Sequence, residues 1–130
     1  MKILVTGAQG FVGKNLLVRL REEGFDDIIE FDRQYTFEQL KIKLPEVGFV
    51  FHLAGVNRPK NESDFFTENS DFTQRLLDEL TDIGSNIPIL LSSSVQSQFE
   101  NPYGKSKALA EKAVLKHQEK CGAPVYIYRL

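Results

Sequence analysis

Apolar positions fall into two kinds of run that alternate along the chain. Short, nearly uninterrupted runs occur at Ile3 to Val5, Asp27 to Phe31, Phe49 to Leu53, Ile87 to Leu91 and Val125 to Tyr128. Their length and their β-branched and aromatic content suit buried parallel strands. Between them the apolar residues recur at helical spacing. From Phe11 to Glu23 they stand at Val12, Leu16, Leu17 and Leu20, with Lys14, Arg19, Arg21 and Glu22 between. That pattern predicts an amphipathic helix closed by Gly24. A short helix is expected over Thr36 to Leu44, stopped by Pro45. A long one is expected from about Glu62 to Ile83, with Phe65, Phe66, Phe72, Leu76, Leu77 and Leu80 on its apolar side and Gly84 at its end. The run Ser92-Ser93-Ser94 is expected to break the fourth strand, and Asn101-Pro102 supplies an N-cap and a first helical residue for a helix to about Lys120.

Strict alternation of strand and helix predicts an α/β fold: a Rossmann-like doubly wound parallel sheet with helices on both faces. Ligands of such sheets sit beyond the carboxyl ends of the strands. The segments to watch are therefore Gly7 to Gly13, Asp32-Arg33, Ala54 to Arg58 and Ser92 to Ser94.

Composition narrows the function classes without choosing one. The chain has 130 residues, enough for one domain with a real core, and residues 1–130 are expected to form that single domain. A formal net charge of −2 favours neither nucleic acid nor an anionic membrane surface. No run is long enough to span a membrane, and Met1-Lys2 leads straight into the first strand without a signal-peptide pattern. The lone Cys121 fits a reducing cytoplasm, the expected location, and reads as a bystander thiol at a helix end.

Three constellations carry chemistry. A strand, the Gly7-x-x-Gly10-x-x-Gly13 turn and a helix open a dinucleotide-binding βαβ unit. Gly7 permits the turn, Gly10 admits a pyrophosphate and Gly13 lets the helix pack close, with Phe11 and Val12 between them on the cofactor-binding wall. Alone, the triplet also fits a tight turn without a ligand. Asp32 stands about 20 residues on, where a carboxylate binds an adenosine ribose. Arg33 beside it would instead welcome a 2′-phosphate, so the pair pulls both ways between NAD and NADP.

Tyr103 and Lys107 are four apart at the start of a helix and so share a face. A nearby ammonium favours the phenolate, which suits a tyrosine that gives or takes a proton. Lys107 can also hold the ribose of a nicotinamide cofactor, and Ser94 or Ser93 can hydrogen-bond a substrate oxygen. His52 reads as a packed, hydrogen-bonded histidine, and with His117 far away no metal site is expected.

These residues resemble the extended short-chain dehydrogenase/reductases, in Thr6-Gly7-x-x-Gly10-x-x-Gly13, His52-Leu53-Ala54-Gly55, Asn69, Ser92-Ser93-Ser94 and Tyr103-x-x-x-Lys107. A more specific likeness lies in His52 to Pro59, Leu90 to Ser94, Asn101 to Lys107 and Val125 to Arg129. It is to the N-terminal part of capsular-polysaccharide reductases acting on UDP-linked 4-keto-6-deoxy-N-acetylhexosamines. The resemblance implies that Tyr103 protonates the 4-keto oxygen, Lys107 assists it and binds ribose, and Ser94 holds the carbonyl, with Ser93 as competitor. It implies that Leu53, Ala54 and Gly55 line the cofactor and that Asn69 buttresses their loop. It also favours NADP(H) slightly over NAD(H), through Arg33. A sugar-nucleotide epimerase or dehydratase, or a nucleotide-binding module without catalysis, is the alternative. Two departures stand out. Only nine positions separate Ser94 from Tyr103, and the chain closes at Leu130, where the family continues into a substrate-binding C-terminal part. That part is expected to be missing, leaving exposed apolar surface and a homodimer, with the UDP-sugar bound through the absent region.

Overall fold

The computed structural model describes residues 1–55 and 70–130. Five strands, β1 (Lys2–Thr6), β2 (Ile28–Phe31), β3 (Val47–His52), β4 (Ile89–Ser93) and β5 (Val125–Arg129), form one sheet in the order β2-β1-β3-β4-β5. Every pairing is parallel. The described helices are α1 (Phe11–Glu22), α2 (Phe37–Lys43), α3 (Phe72–Asp82) and α4 (Pro102–Cys121). The strand order reverses between β1 and β3, which puts Thr6 level with His52 at the switch point. None of the described helices is long and apolar enough to cross a membrane.

Alternation along β1 sorts the core into two layers. Ile3 and Val5 join Leu17 and Leu20 of α1 on one face. Leu4 points the other way, into a larger cluster with Leu40 of α2, Leu76, Leu77 and Leu80 of α3, and Ala110 and Val114 of α4. Helices therefore lie on both faces, as the alternation predicted. The α1 face is less well covered over the later strands: Phe49, Phe51 and Leu90 are half-buried, and Tyr126 and Tyr128 are exposed.

Local chemistry explains where elements begin and end, including four departures from the sequence reading. The Thr36 side chain accepts the Gln39 N–H and the Gln39 side chain returns to the Thr36 N–H, a capping box that starts α2 at Phe37. Pro45 does not stop the chain's winding; it fits the start of a 3₁₀ turn over Leu44–Glu46. β3 begins at Val47 rather than Phe49, directly after that turn. β4 is shifted towards the C-terminus of the expected Ile87 to Leu91. Pro88 lacks an N–H, although its carbonyl accepts from Val50 at 3.0 Å. Ser92 and Ser93 continue the strand, because pairing with Tyr128 and Arg129 of β5 satisfies their backbone. The N-terminal part of the long helix expected from Glu62 lies outside the described residues, while Phe72 to Asp82 is helical as expected. Asn101 caps α4 through its Oδ1, which accepts the Gly104 N–H at 2.7 Å, with Pro102 next.

Candidate active site

The carboxyl ends of β1, β2, β3 and β4 open onto one cleft with two lobes. One lobe, of about 640 Å³, is bounded by Gly7, Gln9, Gly10, Asp32, Arg33, Leu53, Ala54 and Gly55, with an aromatic floor of Phe31, Tyr35, Phe37 and Phe72, and with Arg75. The other, also about 640 Å³, is bounded by Gly7, Gly10, Phe11, Val12, Gly13, Leu53, Gly55, Ser92, Ser93, Ser94, Gln96, Tyr103, Lys107 and Leu130. Gly7, Gly10, Leu53 and Gly55 border both lobes. The sequence-derived site residues are thus brought together, apart from Asn69, which lies outside the described residues.

The glycine turn fits a diphosphate for reasons visible in its packing. Gly7 sits at φ 69°, and a Cβ there would lie 2.8 Å from the backbone of Leu53 and Ala54. A Cβ on Gly13 would collide with the Gly7 carbonyl, so only glycine lets α1 lie this close to the turn. At the start of α1 no side chain caps the helix and no acidic residue stands in its first turn. Its first N–H groups and its dipole are thereby left for an anion in the cleft. Phe11 is 86% exposed on that wall, its side chain held out of the core.

Behind the turn, a buried network fixes the switch point. Thr6 Oγ1 accepts the N–H groups of Leu53 and Ala54, both at 3.1 Å. Its own hydrogen therefore goes to Nδ1 of His52 at 2.7 Å. Nε2 must then carry the ring hydrogen, donated to Thr73 Oγ1 at 2.8 Å. Burial, with a smaller contribution from the charge of Lys107, lowers the His52 pKa to about 3, so the ring is neutral. The packed histidine expected from sequence is what the structure contains.

At the other lobe, α4 presents Tyr103 and Lys107 side by side, with Lys107 Nζ 5.8 Å from the centre of the tyrosine ring. Lys107 Nζ donates to the Ser92 carbonyl at 3.4 Å, and burial pulls its pKa down to about 8. The close seat of α4 depends on Gly104, whose Cβ would collide with the carbonyl oxygen of Gln96. Ser93 and Ser94 differ in their partners. Ser93 Oγ donates to Glu111 Oε2 at 2.6 Å, on the α4 side of the sheet. Ser94 Oγ accepts the Gln96 N–H at 3.1 Å, capping the 3₁₀ turn Val95–Gln98 and keeping its hydrogen for another acceptor.

Glu111 is a residue that the sequence reading missed. Burial alone would raise its pKa, but hydrogen bonds from Arg129 and Ser93 outweigh that and hold the carboxyl below its ordinary value. Arg129 Nη2 lies 2.8 Å from Oε1 and Nε 3.2 Å from Oε2, so one carboxylate ties α4 to the ends of β4 and β5. Its position four residues beyond Lys107, on the same helix face, was the available signal. Gln9 was missed as well: its N–H donates to Asp32 Oδ2 at 2.7 Å.

A doubly wound parallel sheet, with a glycine turn and an uncapped helix start at its switch point, defines a dinucleotide-binding α/β protein. The chain belongs to the NAD dependent epimerase/dehydratase family, whose model matches residues 3–130. It is 44% identical, over all of its 130 residues, to a UDP-2-acetamido-2,6-beta-L-arabino-hexul-4-ose reductase from Pseudomonas aeruginosa, and covers 35% of that protein. Capsular polysaccharide assembling protein CapF from Staphylococcus aureus superposes with a TM-score of 0.83 at 43% identity, over 99% of this chain and 35% of that one. UDP-glucuronic acid 4-epimerase from Bacillus cereus, solved with NAD, superposes with a TM-score of 0.86 at 22% identity, over 99% of this chain and 55% of that one, and shares the fold. The chain thus spans about a third of the length of the reductase and of CapF.

Proposed function

We propose that the chain is the cofactor-binding part of an NAD(P)H-dependent reductase of the extended short-chain type. Its substrate would be a 4-keto sugar nucleotide, of the UDP-2-acetamido-2,6-dideoxyhexos-4-ulose type, used in capsular or surface polysaccharide synthesis. The observation that carries this reading is the shared lobe in which Ser94, Tyr103 and Lys107 face the glycine turn. The 44% identity to a reductase named for such a substrate supports the choice of sugar. When bound, the nicotinamide would supply the hydride that reduces C4. Tyr103 would give its phenolic proton to the ketone oxygen, so that an alcohol results. Ser94 would donate a hydrogen bond to that oxygen, since its hydroxyl hydrogen is not needed for the Gln96 contact. Ser93 suits the role less well, because its hydrogen is given to Glu111. Lys107 would steady the phenolate left on Tyr103 and hold the nicotinamide ribose.

NADP(H) is favoured over NAD(H), because Arg33 borders the adenosine lobe. A homodimer in the cytoplasm, with the UDP-sugar bound by a region beyond residue 130, completes the proposal.

The test is Tyr103→Phe in the full-length protein. NADPH consumption with a 4-keto sugar nucleotide should fall by about 10²-fold or more, since about 10² is the lower end of what general acid catalysis contributes, while cofactor still binds. Retained turnover would refute the role of Tyr103. Sugar conversion without net NADPH consumption would instead identify an epimerase or dehydratase.

A further inference from the structure

The adenosine lobe contains a cation that no sequence motif singled out. We propose that Arg75 is a second determinant of cofactor choice, acting with Arg33 on the 2′-phosphate of NADP(H), while Asp32 serves the glycine turn instead of reading the ribose. This rests on the reading that the cleft binds a nicotinamide dinucleotide.

Arg33, at the end of β2, and Arg75, on α3, border the same lobe from different elements. The Arg75 guanidinium carbon lies 4.1 Å from the centre of the Phe37 ring. Phe37 is in turn held edge-on by Phe72, with ring centres 6.3 Å apart, and Phe72 packs on Phe31 at 5.6 Å. Stacking on a fixed ring orients the guanidinium fork before a ligand arrives, so less rotamer freedom is lost on binding. Neither arginine forms an ion pair among the described residues. Two guanidinium groups match a phosphate ester dianion in charge and in donor geometry.

Asp32 would ordinarily oppose this by repelling the phosphate and claiming the ribose diol. Here both of its oxygens are engaged by backbone. Oδ2 accepts the Gln9 N–H at 2.7 Å and Oδ1 accepts the Arg33 N–H at 2.8 Å. The carboxylate therefore ties the glycine turn to the end of β2. That function is indifferent to which cofactor occupies the cleft.

The experiment measures dissociation constants for NADPH and NADH by nicotinamide fluorescence, on the full-length protein and three variants. Arg75→Met keeps the packing stem and removes the charge. It should weaken NADPH about tenfold, the size of one charged hydrogen-bonding contact, and leave NADH within about twofold. Arg75→Lys, which keeps the charge without the planar fork, should fall between. Asp32→Asn should weaken both cofactors by the same factor, leaving their ratio unchanged. Equal losses for both cofactors in Arg75→Met, or no loss in either, overturn the role of Arg75. A selective gain for NADPH in Asp32→Asn overturns the role given to Asp32. If the unaltered protein binds neither cofactor, the dinucleotide reading itself fails and takes this inference with it.

Discussion

Acidification from pH 7 to pH 5 should destabilise this chain through His52. The perturbation is a change in pH acting on a ring that bridges Thr6 and Thr73 in the core. Burial lowers its pKa to about 3 from an ordinary 6.5. A base whose folded pKa is depressed contributes stability above its unfolded pKa and loses it as the pH falls below that value, because the unfolded chain then binds more protons. Linkage between those two pKa values gives a loss of about 2 kcal/mol between pH 7 and pH 5. With a urea m-value of roughly 1.5–2 kcal/mol/M for a chain of this size, the midpoint should drop by about 1 M. Urea titrations of the chain at the two pH values measure this, and His52→Gln should remove most of the difference. His117, also lowered by burial and by Lys120, contributes with the same sign, so His117→Gln is the control and should keep most of the drop. Glu111 is held below its ordinary 4.5, so its own linkage lies under this pH window. If His52→Gln fails to fold, NMR titration of the His52 ring in the unaltered chain gives the same answer. A ring that titrates near 6.5 in the folded chain, or a midpoint that does not move, refutes the argument.

Two further outcomes follow from the helix that carries Tyr103. Lys107, lowered by burial to about 8 from 10.5, burdens the folded chain below pH 8, and the burden lifts as the pH rises towards 10.5. Lys107→Met should therefore stabilise the ligand-free chain near pH 7.5 by up to about 3 kcal/mol, while abolishing reduction in the full-length protein. Its urea midpoint, compared with that of the unaltered chain at pH 7.5 and pH 10, checks both sign and window. Gly104→Ala should cost about 1–3 kcal/mol by thermal or urea unfolding, because the added methyl meets the Gln96 carbonyl and must push α4 off its seat.

The parts of the fold that depend on neighbours in sequence were legible in the chain itself. Asn101-Pro102 announced α4, the run around Leu17 and Leu20 announced α1, and the glycine spacing marked the turn. What could not be read depends on pairing across the sheet. Ser92 and Ser93 look like a strand break until β5 supplies their backbone partners. Pro45 looks like a stop until the chain is seen to continue as a 3₁₀ turn, where its missing N–H costs nothing. The same holds at the site. Asp32 was expected at the end of the second strand as a ribose ligand, and its hydrogen bond from Gln9 in the glycine turn, spanning 23 positions, has no local signature. Arg75 belongs to α3, whose own pattern speaks only of its apolar side; its place at the edge of the first lobe, stacked on Phe37, is visible only once α2 and α3 are packed.

The polar residues of the site divide by the direction in which their hydrogens point, and that division explains why both serines are present. Thr6, His52, Ser93 and Glu111 are buried, and their hydrogen bonds to protein run behind the cleft, although Ser93 also borders it. They hold the ends of β1, β3, β4 and β5 in register without needing to touch a ligand. Ser94, Tyr103 and Lys107 form the front layer and carry the chemistry proposed for the cleft. Lys107 is the costly member, since its charge is desolvated with the Ser92 carbonyl accepting from it at 3.4 Å. A ligand hydroxyl placed against Nζ would return part of the lost hydration and raise the lysine pKa again. By linkage, that ligand is bound more tightly where the lysine is charged than above pH 8. The cost of burying Lys107 and the affinity proposed for a polyhydroxyl cofactor would thus have the same source, one cation that the fold buries without fully solvating.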